Sequence, residues 1–278
     1  MKCSVNQDPA RGRILWMTDG RTRVGAALDY GIRILHLSCE GMENLFYQQP
    51  PDGRDGLTTE QGWRIRGGHR LWLSPESEKT YWPDNEPVRW ERRGGAVVLT
   101  QPPDAALGLR KSIRIAFLPD GQVELEHRVE NTARLSLRGA LWGVNTLDGG
   151  GTARIPFGGA AGSAYRPHSL VSLWGDTSLG DKRLEFRPGS LTVRHRPLEA
   201  YCKLGLYCRA GTAVLENKGQ RLILGFGAGT PEAYPDLGCN FEVYLNQWFL
   251  ELETLGPVQR IAPGQQASHV ERWRVERL

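Results

Sequence analysis

Hydrophobic and polar residues alternate over many short stretches of this chain, and glycine or proline separates most of them. Such short segments, bounded by turn residues at regular spacing, are typical of a β-sandwich or β-barrel. No window of a dozen residues shows an apolar period of 3.6, which a helix would require. The pattern therefore predicts an all-β fold. The segments that carry it are 12–17, 31–38, 96–101, 111–118, 123–131, 135–145, 184–195, 212–217, 221–227, 240–255 and 268–276.

The glycine-rich stretch 147–165 interrupts this series of predicted strands. We interpret it as a long mobile loop rather than a linker between domains, either a lid over a binding site or a simply disordered segment, and we favour the lid. No internal repeat or low-complexity tract accompanies it. We therefore expect residues 1–278 to form a single domain.

Composition narrows the environment in which the protein works. The chain has 278 residues, 40% of them hydrophobic, with a mean hydropathy of −0.43. No run approaches the roughly 18 apolar residues of a membrane helix, and the N-terminal residues lack the apolar core of a signal peptide. The five cysteines are odd in number and form no CxxC pair, which favours reduced thiols. We expect a cytoplasmic protein with no membrane partner.

The charge pattern argues against nucleic acid as a partner. The net charge is only +4, although the isoelectric point is near 8.9. Basic residues are scattered and are not interleaved with aromatic residues in a tract that could follow a phosphate backbone.

The late segment "FLELETLGP", Phe249 to Pro257, carries two acids inside an apolar run. Glu251 and Glu253 are two residues apart, so a strand would turn both carboxylates to the same face. A two-residue turn at Asn246-Gln247 would place Glu242 opposite Glu251, Asn240 opposite Glu253 and Leu245 opposite Trp248. The predicted polar face then consists of Asn240, Glu242, Tyr244, Glu251 and Glu253. The predicted core face consists of Phe241, Val243, Leu245, Trp248, Leu250 and Leu252.

Like charges directly across a strand pair usually destabilise a sheet, so the acidic face requires an explanation. Three remain open from the residues alone. The acids can lie on a solvated surface near arginines, or they can bind Ca²⁺ or Mg²⁺ through oxygen ligands. They can also line a sugar site in which one carboxylate is a general base, provided that an acid or a cation stands opposite.

A second segment, "RIRGGHRLWLSPE" from Arg64 to Glu76, offers such a group. The double glycine allows an unusual backbone conformation just before His69, Arg70 and Trp72. Histidine exchanges protons near neutral pH, arginine binds carboxylates or phosphates with a planar fork, and tryptophan offers a flat surface for a sugar ring. The following turn, "TYWPDNEPV", is rich in the same group types. It contributes Tyr81, Trp82, Asp84 and Asn85.

Taken together, these segments resemble the galactose mutarotase-like superfamily, and in particular a bacterial branch without an assigned activity that is related to aldose 1-epimerases. The resemblance runs nearly end to end. It rests on "VGAALDYGIRILHLSCEGMENLF", "GGHRLWLSPE", "YWPDNEPV", "VELEHRVENTARLSLRGALWGVNTL" with Asn131, "LWGDTSLGDKRLEF", "CKLGLY" and the finish from "YPDLGCNFEVYLNQWFLELETLGPVQ" to "ERWRV".

The resemblance implies a β-supersandwich, two large antiparallel sheets packed face to face, with a sugar site on a concave sheet surface. "LETL" stands where epimerases carry "LETQ", which implies that Glu253 is the base. "RGGHRLW" is loosely similar to the family's "HGG…R", which implies site roles for His69 and Arg70. The family's second histidine has no counterpart, because "LWGVNTL" supplies only Trp142 and Asn145. Lys203 in "CKLG", His69 or Arg70 could replace it.

We therefore expect a protein that acts on or binds a small sugar or sugar derivative, without a cofactor or a metal. Glu253 is the expected base, His69 or Lys203 the proton donor, and Arg70 the group that fixes a substrate oxygen or acidic group. We expect the Glu253 carboxylate to lie about one sugar's width from His69 and Arg70, in one open pocket. The further expected substrate-binding residues are Trp72, Trp142, Asn145, Asn240, Glu242 and Glu251.

Two rival functions and a structural one stay open at this point. A non-catalytic carbohydrate-binding module would use the same residues without turnover, and the missing histidine favours it. A glycan lyase or hydrolase would use the cluster of Glu242, Glu251 and Glu253 as paired carboxylates. A structural or interaction protein would bind no small ligand.

Overall fold

The computed structural model describes residues 1–53, 57–60, 62–157, 169–175 and 177–278, and almost all of its regular structure is β-strand. Two short 3-10 turns, Glu78–Tyr81 and Pro231–Ala233, are the helical segments of the described residues. The strands are β1 Lys2–Asp8, β2 Gly12–Thr18, β3 Thr22–Ala27, β4 Ile34–Cys39, β5 Gly68–Ser74, β6 Arg89–Arg93, β7 Ala96–Thr100, β8 Leu109–Phe117, β9 Val123–Asn131, β10 Leu137–Asp148, β11 Thr152–Pro156, β12 Val171–Leu173, β13 Leu184–Arg187, β14 Ser190–Arg194, β15 Cys202–Leu206, β16 Thr212–Asn217, β17 Gln220–Phe226, β18 Phe241–Leu245, β19 Phe249–Leu255, β20 Gln259–Ile261 and β21 Gln266–Arg277.

These strands form two large antiparallel sheets. The first sheet has the order β1-β2-β3-β4-β5-β10-β19-β18-β15-β12, and β20 also pairs with β10. The second has the order β13-β14-β11-β16-β17-β21-β9-β8-β7-β6. The prediction of an all-β fold with two large antiparallel sheets is confirmed.

The main core lies between the two sheets. In β9 every second residue is buried, and Val123, Leu125 and Val129 join a cluster that also contains Leu141 and Leu252 of the first sheet. Alternation of apolar and polar side chains along a strand thus turns one face of each sheet inward. Burial of each such leucine or valine contributes about 1.5–3 kcal/mol to the free energy of unfolding, so this cluster carries much of the stability.

The closing hairpin differs in register from its prediction. Leu245 pairs with Leu250, so four residues form the connection instead of two. The Asn246 side-chain oxygen accepts hydrogen bonds from the backbone N–H groups of Trp248 (2.8 Å) and Phe249 (3.0 Å), which lengthens the turn. The predicted cross-strand pairs are therefore wrong: Glu242 lies opposite Glu253, and Tyr244 lies opposite Glu251.

The longer turn also corrects the prediction for Trp248. This side chain was expected on the core face, but it belongs to the connection and is 36% exposed. The other five predicted core residues, from Phe241 to Leu252, are fully buried in the main cluster. The alternation was therefore interpreted correctly within the strands, and the error was confined to the turn.

The glycine-rich stretch 147–165 is only partly a loop. β10 continues to Asp148, and Thr152–Pro156 forms β11, which pairs with β14 and β16 of the second sheet. Residues 158–165, on which the lid interpretation chiefly depends, lie outside the described residues. No helix among the described residues has the length and apolar character needed to cross a bilayer.

Two consecutive glycines precede the strand that enters the candidate site. Gly67 and Gly68 have φ values of +80° and +69°, a conformation that disfavours every residue with a Cβ atom. An added Cβ would lie 2.0 Å from the Tyr47 carbonyl oxygen at Gly67, and 2.2 Å from the Ile34 carbonyl oxygen at Gly68. The double glycine is thus required where the chain passes between two backbone segments and enters β5.

Replacement of Gly68 by alanine should lower the free energy of unfolding by roughly 2–5 kcal/mol, because it combines backbone strain with a backbone clash. Gly94→Ala is the matched control: Gly94 has a φ of +55°, and an added Cβ there would meet no atom within 4 Å. That control should cost only about 1–2 kcal/mol. Urea denaturation of both variants measures the difference, and equal losses would contradict a steric requirement at Gly68.

Candidate functional site: an aromatic pocket around a buried lysine–carboxylate cluster

The candidate site is a cavity of about 160 Å³ on the face of the first sheet that points away from the second sheet. Strands β5, β10, β19, β18 and β15 contribute side chains to it, and the segments before and after β5 close its sides. Its lining residues are Leu57, Trp63, Ile65, Arg70, Trp72, Glu76, Tyr81, Trp142, Lys203, Tyr244, Phe249, Glu251 and Glu253.

Strand register explains why distant residues meet here. Val144 of β10 pairs with Arg70 of β5 on one side and with Glu253 of β19 on the other. Residues in register across neighbouring strands point to the same face, so Arg70 and Glu253 both line the pocket. Trp72 and Trp142 are likewise direct partners, with ring centroids 5.3 Å apart.

The Lys203 ammonium group lies at the centre of a carboxylate cluster. Its Nζ atom is 2.9 Å from Glu76 Oε2, 3.4 Å from Glu242 Oε2 and 3.9 Å from Glu253 Oε2. The same atom lies 4.6 Å from the ring centroid of Trp142, which is within the range of a cation–π interaction. Lys203 is only 8% exposed and Glu242 and Glu253 are 1% exposed, so their interactions act with little screening by solvent, whereas Glu76 lies at the exposed edge of the cluster.

The cluster shifts the pKa values of its members in opposite directions. Burial lowers the pKa of Lys203, but the carboxylates of Glu253, Glu242 and Glu76 together outweigh it and raise that pKa above its ordinary value. Burial raises the pKa of Glu76, but the nearby ammonium of Lys203 and the hydroxyl of Tyr81, which donates a hydrogen bond to Glu76, bring it below its usual range. Lys203 and Glu76 therefore form a charged pair at neutral pH.

The two remaining carboxyl groups of the cluster hold protons more tightly. Burial, partly offset by Lys203, raises the pKa of Glu253 to about 7. Burial and the adjacent Glu253 raise the pKa of Glu242 well above its ordinary value. One ammonium cannot offset two further buried carboxylates that lie directly opposite each other, so Glu242 and Glu253 ionise one after the other. An acid that titrates near neutral pH is the state expected of a general base.

Arg70 is held by a second carboxylate. Its Nη1 atom donates to Glu251 Oε1 at 3.0 Å and to the Thr146 hydroxyl at 2.8 Å, and that hydroxyl donates to the same carboxylate oxygen. The guanidinium also lies 4.0 Å from the ring centroid of Trp72. Arg70 therefore enters the pocket with its charge already offset by Glu251.

Aromatic side chains form the walls around these charged groups. Trp63 lies edge-on against Tyr81, with 5.1 Å between ring centroids, and Tyr244 lies against Phe249 at 6.0 Å. The Trp142 Nε1–H donates to Glu253 Oε2 at 2.9 Å, which fixes the carboxylate relative to the wall. The pocket thus combines flat apolar surfaces with a few oriented polar groups, the composition usual for small-molecule sites.

Comparison with known proteins identifies the architecture around this pocket. No protein-family model matches the chain, and no curated protein sequence matches it. Solved structures do match. A galactose mutarotase-like protein from Lactobacillus casei ATCC 334 aligns with a TM-score of 0.62 at 10% identity, over 95% of this chain and 100% of the other.

Two further structures are similar at the same level. The galactose mutarotase-like protein from Clostridium acetobutylicum has a TM-score of 0.58 at 9% identity, over 100% of this chain and 99% of its own. The Slr1438 protein from Synechocystis sp. PCC 6803 has a TM-score of 0.61 at 13% identity, over 95% of each chain. The chain has the galactose mutarotase-like fold. At these identities the likeness concerns the fold alone.

Within this mutarotase-like fold, His69 lies apart from the pocket. It precedes Arg70 in β5, so it points to the opposite face and is fully buried between the sheets. Its Nδ1 atom contacts Asn145 Oδ1 at 2.9 Å, and its Nε2 atom contacts His127 Nε2 at 2.7 Å. The expectation that His69 and Glu253 share one pocket is wrong, and Asn145 is excluded from the pocket for the same reason.

Three buried residues between the sheets, including His69, have the spacing of metal ligands. His69, His127 and Glu271 each offer one ligand atom within 4.8 Å of the others. These atoms already have partners, however: the two imidazole nitrogens contact each other, and Glu271 accepts hydrogen bonds from Trp273 (2.9 Å) and Thr254. The described geometry is that of a closed hydrogen-bond network between the two sheets.

Two other expected residues also lie off the pocket wall. Asn240 bonds to the backbone of Cys208, with its side-chain oxygen 2.7 Å from the Cys208 nitrogen and its Nδ2 atom 3.1 Å from the Cys208 oxygen. Glu242 faces the site but lies behind Lys203, and only 1% of it is exposed. Asn240 therefore has a structural role. Glu242 influences the pocket indirectly, through its ion pair with Lys203 and its electrostatic interaction with Glu253.

Sequence reasoning did not select several residues that line the pocket. Glu76 stands at the end of its segment with no strand pattern to indicate a role, yet it pairs with Lys203. Trp63 lies in the irregular segment before β5, which has no strand period, whereas Phe249 begins β19 on the same face as Glu251, so strand alternation could have selected it. Of the turn residues after β5, only Tyr81 lines the pocket; Trp82 and Asp84 line another cavity. For Trp63, the one signal in the sequence is an aromatic residue directly after a glycine, Gly62.

The pKa of Glu253 predicts a pH effect on stability. Its folded-state value of about 7 exceeds the ordinary value of 4.5, so the folded protein keeps a proton that the unfolded chain has released between these pH values. The free energy of unfolding contributed by this group should therefore fall as pH rises through that window. Glu253→Gln should remove this part of the slope, as measured by urea denaturation at pH 5, 6, 7 and 8.

The matched control is Glu126→Gln, because Glu126 is a surface carboxylate bonded to Arg128. This variant should keep the wild-type slope. The comparison of slopes cancels contributions from the buried histidines, whose lowered pKa values act in the opposite direction. A Glu253→Gln protein with the wild-type slope would contradict the raised pKa.

Proposed function

We propose that this protein interconverts the anomers of a small sugar in the aromatic pocket, as a mutarotase-like isomerase. The observation that carries the proposal is the pairing of Glu253, an acid that titrates near pH 7, with the Lys203 ammonium 3.9 Å away. Mutarotation needs one group to take a proton from the anomeric hydroxyl and another to stabilise the ring oxygen as the ring opens. The fold of the neighbouring mutarotase-like structures agrees with this chemistry but does not establish it.

The size and walls of the pocket support a single sugar ring as the ligand. Its volume of about 160 Å³ lies below the roughly 300–1,000 Å³ of sites for drug-sized ligands. Trp72 and Trp142 offer flat surfaces for the C–H face of a ring, and both are largely buried. Stacking on one side leaves the hydroxyl groups directed at the charged cluster.

In the proposed reaction, ionised Glu253 accepts the proton of the anomeric hydroxyl. The bond between the anomeric carbon and the ring oxygen breaks, its electron pair moves to the ring oxygen, and an open-chain aldehyde forms. Lys203 donates a hydrogen bond to that oxygen and supplies its proton. Rotation about the bond to the anomeric carbon and reversal of both transfers close the ring to the other anomer.

The raised pKa of Lys203 defines how it contributes. A strongly basic amine is a weak proton donor, so most of its effect is electrostatic stabilisation of the charge on the ring oxygen. Burial, aided by the charge of Glu251, keeps the Glu253 carboxyl group protonated until the pH approaches its pKa of about 7. Arg70, offset by Glu251, orients the sugar through hydrogen bonds rather than through net charge.

One observation favours a second candidate, a non-catalytic sugar-binding protein. No histidine is found among the residues that line the pocket in the described part of the chain, and aldose 1-epimerases use a histidine as the proton donor. A lysine of raised pKa is a poorer replacement. The hydrolase alternative has less support, because Glu242 is absent from the pocket wall and Glu251 is bound to Arg70.

Anomer exchange tests the proposal directly. Freshly dissolved α-anomers of common hexoses, pentoses and uronic acids are mixed with the protein, and the approach to equilibrium is followed by NMR. Glu253→Gln should slow the catalysed exchange by about 10²–10⁴-fold, because glutamine cannot accept the proton. Glu126→Gln, at the surface, should leave the rate unchanged.

The pH profile adds a second measurement for the same reaction. The catalysed rate should rise with pH, with a midpoint near 7, because only ionised Glu253 accepts a proton. Saturation transfer to a sugar without any acceleration would favour the binding protein. If the protein neither accelerates exchange of any sugar in the panel nor binds one, the sugar assignment is refuted.

Charge within the pocket predicts a preference for uncharged sugars. Both cations of the pocket are matched by carboxylates, Arg70 by Glu251 and Lys203 by Glu76, and Glu242 and Glu253 add further acid. A neutral hexose should therefore be bound at least about tenfold more tightly than its 6-phosphate or the matching uronic acid. Saturation-transfer titrations compare the three, and tighter binding of either anion would contradict this charge balance.

A further inference from the structure

A second cavity, of about 220 Å³, shares the lining residue Trp72 with the first. The end of β5 and the residues after it meet the beginnings of β8 and β10 there, so the cavity opens where the two sheets approach each other. Its lining includes four leucines, Leu73, Leu107, Leu109 and Leu137. Nothing in the proposed sugar chemistry uses this cavity.

Positive charge dominates the rest of its lining. Lys79, Lys111 and Arg138 all line the cavity, and no carboxylate does so among the described residues. None of these three side chains has a hydrogen bond or an ion pair with any residue in the described part of the chain; Lys79 and Arg138 are exposed to solvent, and Lys111 is half-buried. The lining therefore carries three positive charges and no negative one, beside four leucines, and solvent reaches Lys111 less than the other two cations.

Among the three cations, Lys111 gives the strongest argument for a bound anion, because it is partly buried. Burial lowers the pKa of its ammonium group to about 8, so holding the charge there is unfavourable. The two carboxylates that act on it at a distance have other partners. Asp84 is paired with Arg33 at 2.5 Å, and Asp104 accepts the backbone N–H groups of Ala106 (2.9 Å) and Leu107 (3.0 Å).

Arg138 adds an independent sign of missing negative charge. It lies directly opposite Arg260 in the pairing of β10 with β20. Like charges across a strand pair repel each other, although solvent weakens the repulsion because both side chains are exposed, and neither arginine has an acidic partner among the described residues. An anion placed in the cavity would reduce both the repulsion at Arg138 and the unfavourable energy of the charge at Lys111.

We propose that this cavity binds a small organic anion with an apolar body, of the class of aromatic or branched-chain carboxylates and phosphate monoesters. The anionic group lies between Lys111 and Arg138, and the apolar body lies against the four leucines. Charge-assisted hydrogen bonds supply orientation, and burial of apolar surface supplies affinity. The binding site does not depend on the sugar assignment, since it shares with that pocket only the wall residue Trp72.

Four probe molecules distinguish the contribution of the anionic group to binding from that of the apolar body. Benzoate and phenyl phosphate carry both parts, benzyl alcohol carries the apolar part alone, and inorganic phosphate carries the charge alone. Isothermal titration calorimetry at pH 7 should show both aromatic anions binding at least about tenfold more tightly than either partial probe. The ratio of benzoate to phenyl phosphate affinity then identifies which anionic group the site prefers.

Lys111→Met tests the site itself, since methionine keeps the length and apolar contact of the side chain and removes only the charge. Affinity for benzoate should fall by about tenfold or more. Lys2→Met, at an exposed position of β1, changes the net charge equally and should alter affinity by less than about twofold. Lys111→Arg keeps the charge and should retain the preference for anions.

Two further measurements make the outcome decisive. In the wild type, benzoate affinity should decline from about pH 7 to about pH 9.5 as Lys111 loses its proton, and Lys111→Met should lack this decline. Intermolecular NOEs should place the benzoate ring against the methyl groups of Leu107, Leu109 and Leu137. Equal affinity for benzyl alcohol and benzoate, equal losses in Lys111→Met and Lys2→Met, or NOEs elsewhere would each overturn the proposal.

Discussion

The alternation of side chains across β5, β10 and β19 is the constraint on which both polar clusters of this protein depend. Arg70 and Glu253 point outward to the pocket, whereas His69 and Asn145 point inward to the second sheet. Because consecutive residues of a strand face opposite sides, one short motif supplies both clusters. The inner cluster joins the sheets through a closed hydrogen-bond network, and the outer one forms a pocket.

Burial of the acids in the outer cluster is electrostatically unfavourable, as their raised pKa values indicate. Glu242 and Glu253 lie directly opposite each other, each only 1% exposed, and share one ammonium group. Buried like charges are unfavourable, and a buried ion pair rarely contributes more than the desolvation of its members costs. Raised carboxyl pKa values in an aromatic cavity are instead typical of sites that bind or transform a ligand.

Much of the fold and part of the site could be predicted from residue patterns. Strand alternation identified the all-β class and placed Glu242, Glu251 and Glu253 on one face. Strand alternation predicted the wrong register at the closing turn, because the Asn246 side-chain oxygen accepts hydrogen bonds from two backbone N–H groups and so lengthens the turn. Glu76 and Trp63 could not be found in this way, since irregular segments have no period from which a direction can be inferred.

Local properties follow from the order of residues: which segments are extended, which faces are apolar, and where glycine must stand. Whether His69 or Arg70 faces the pocket depends on which sheet covers which side of β5, and packing between residues far apart in the chain makes that choice. Glu76 and Lys203 lie 127 positions apart, yet their side chains are 2.9 Å from each other. Such contacts form only when the chain folds, because an ion pair requires two side chains to be close in space. Strand periodicity predicts the face of the sheet to which a side chain points, but it does not predict which distant residue that side chain meets.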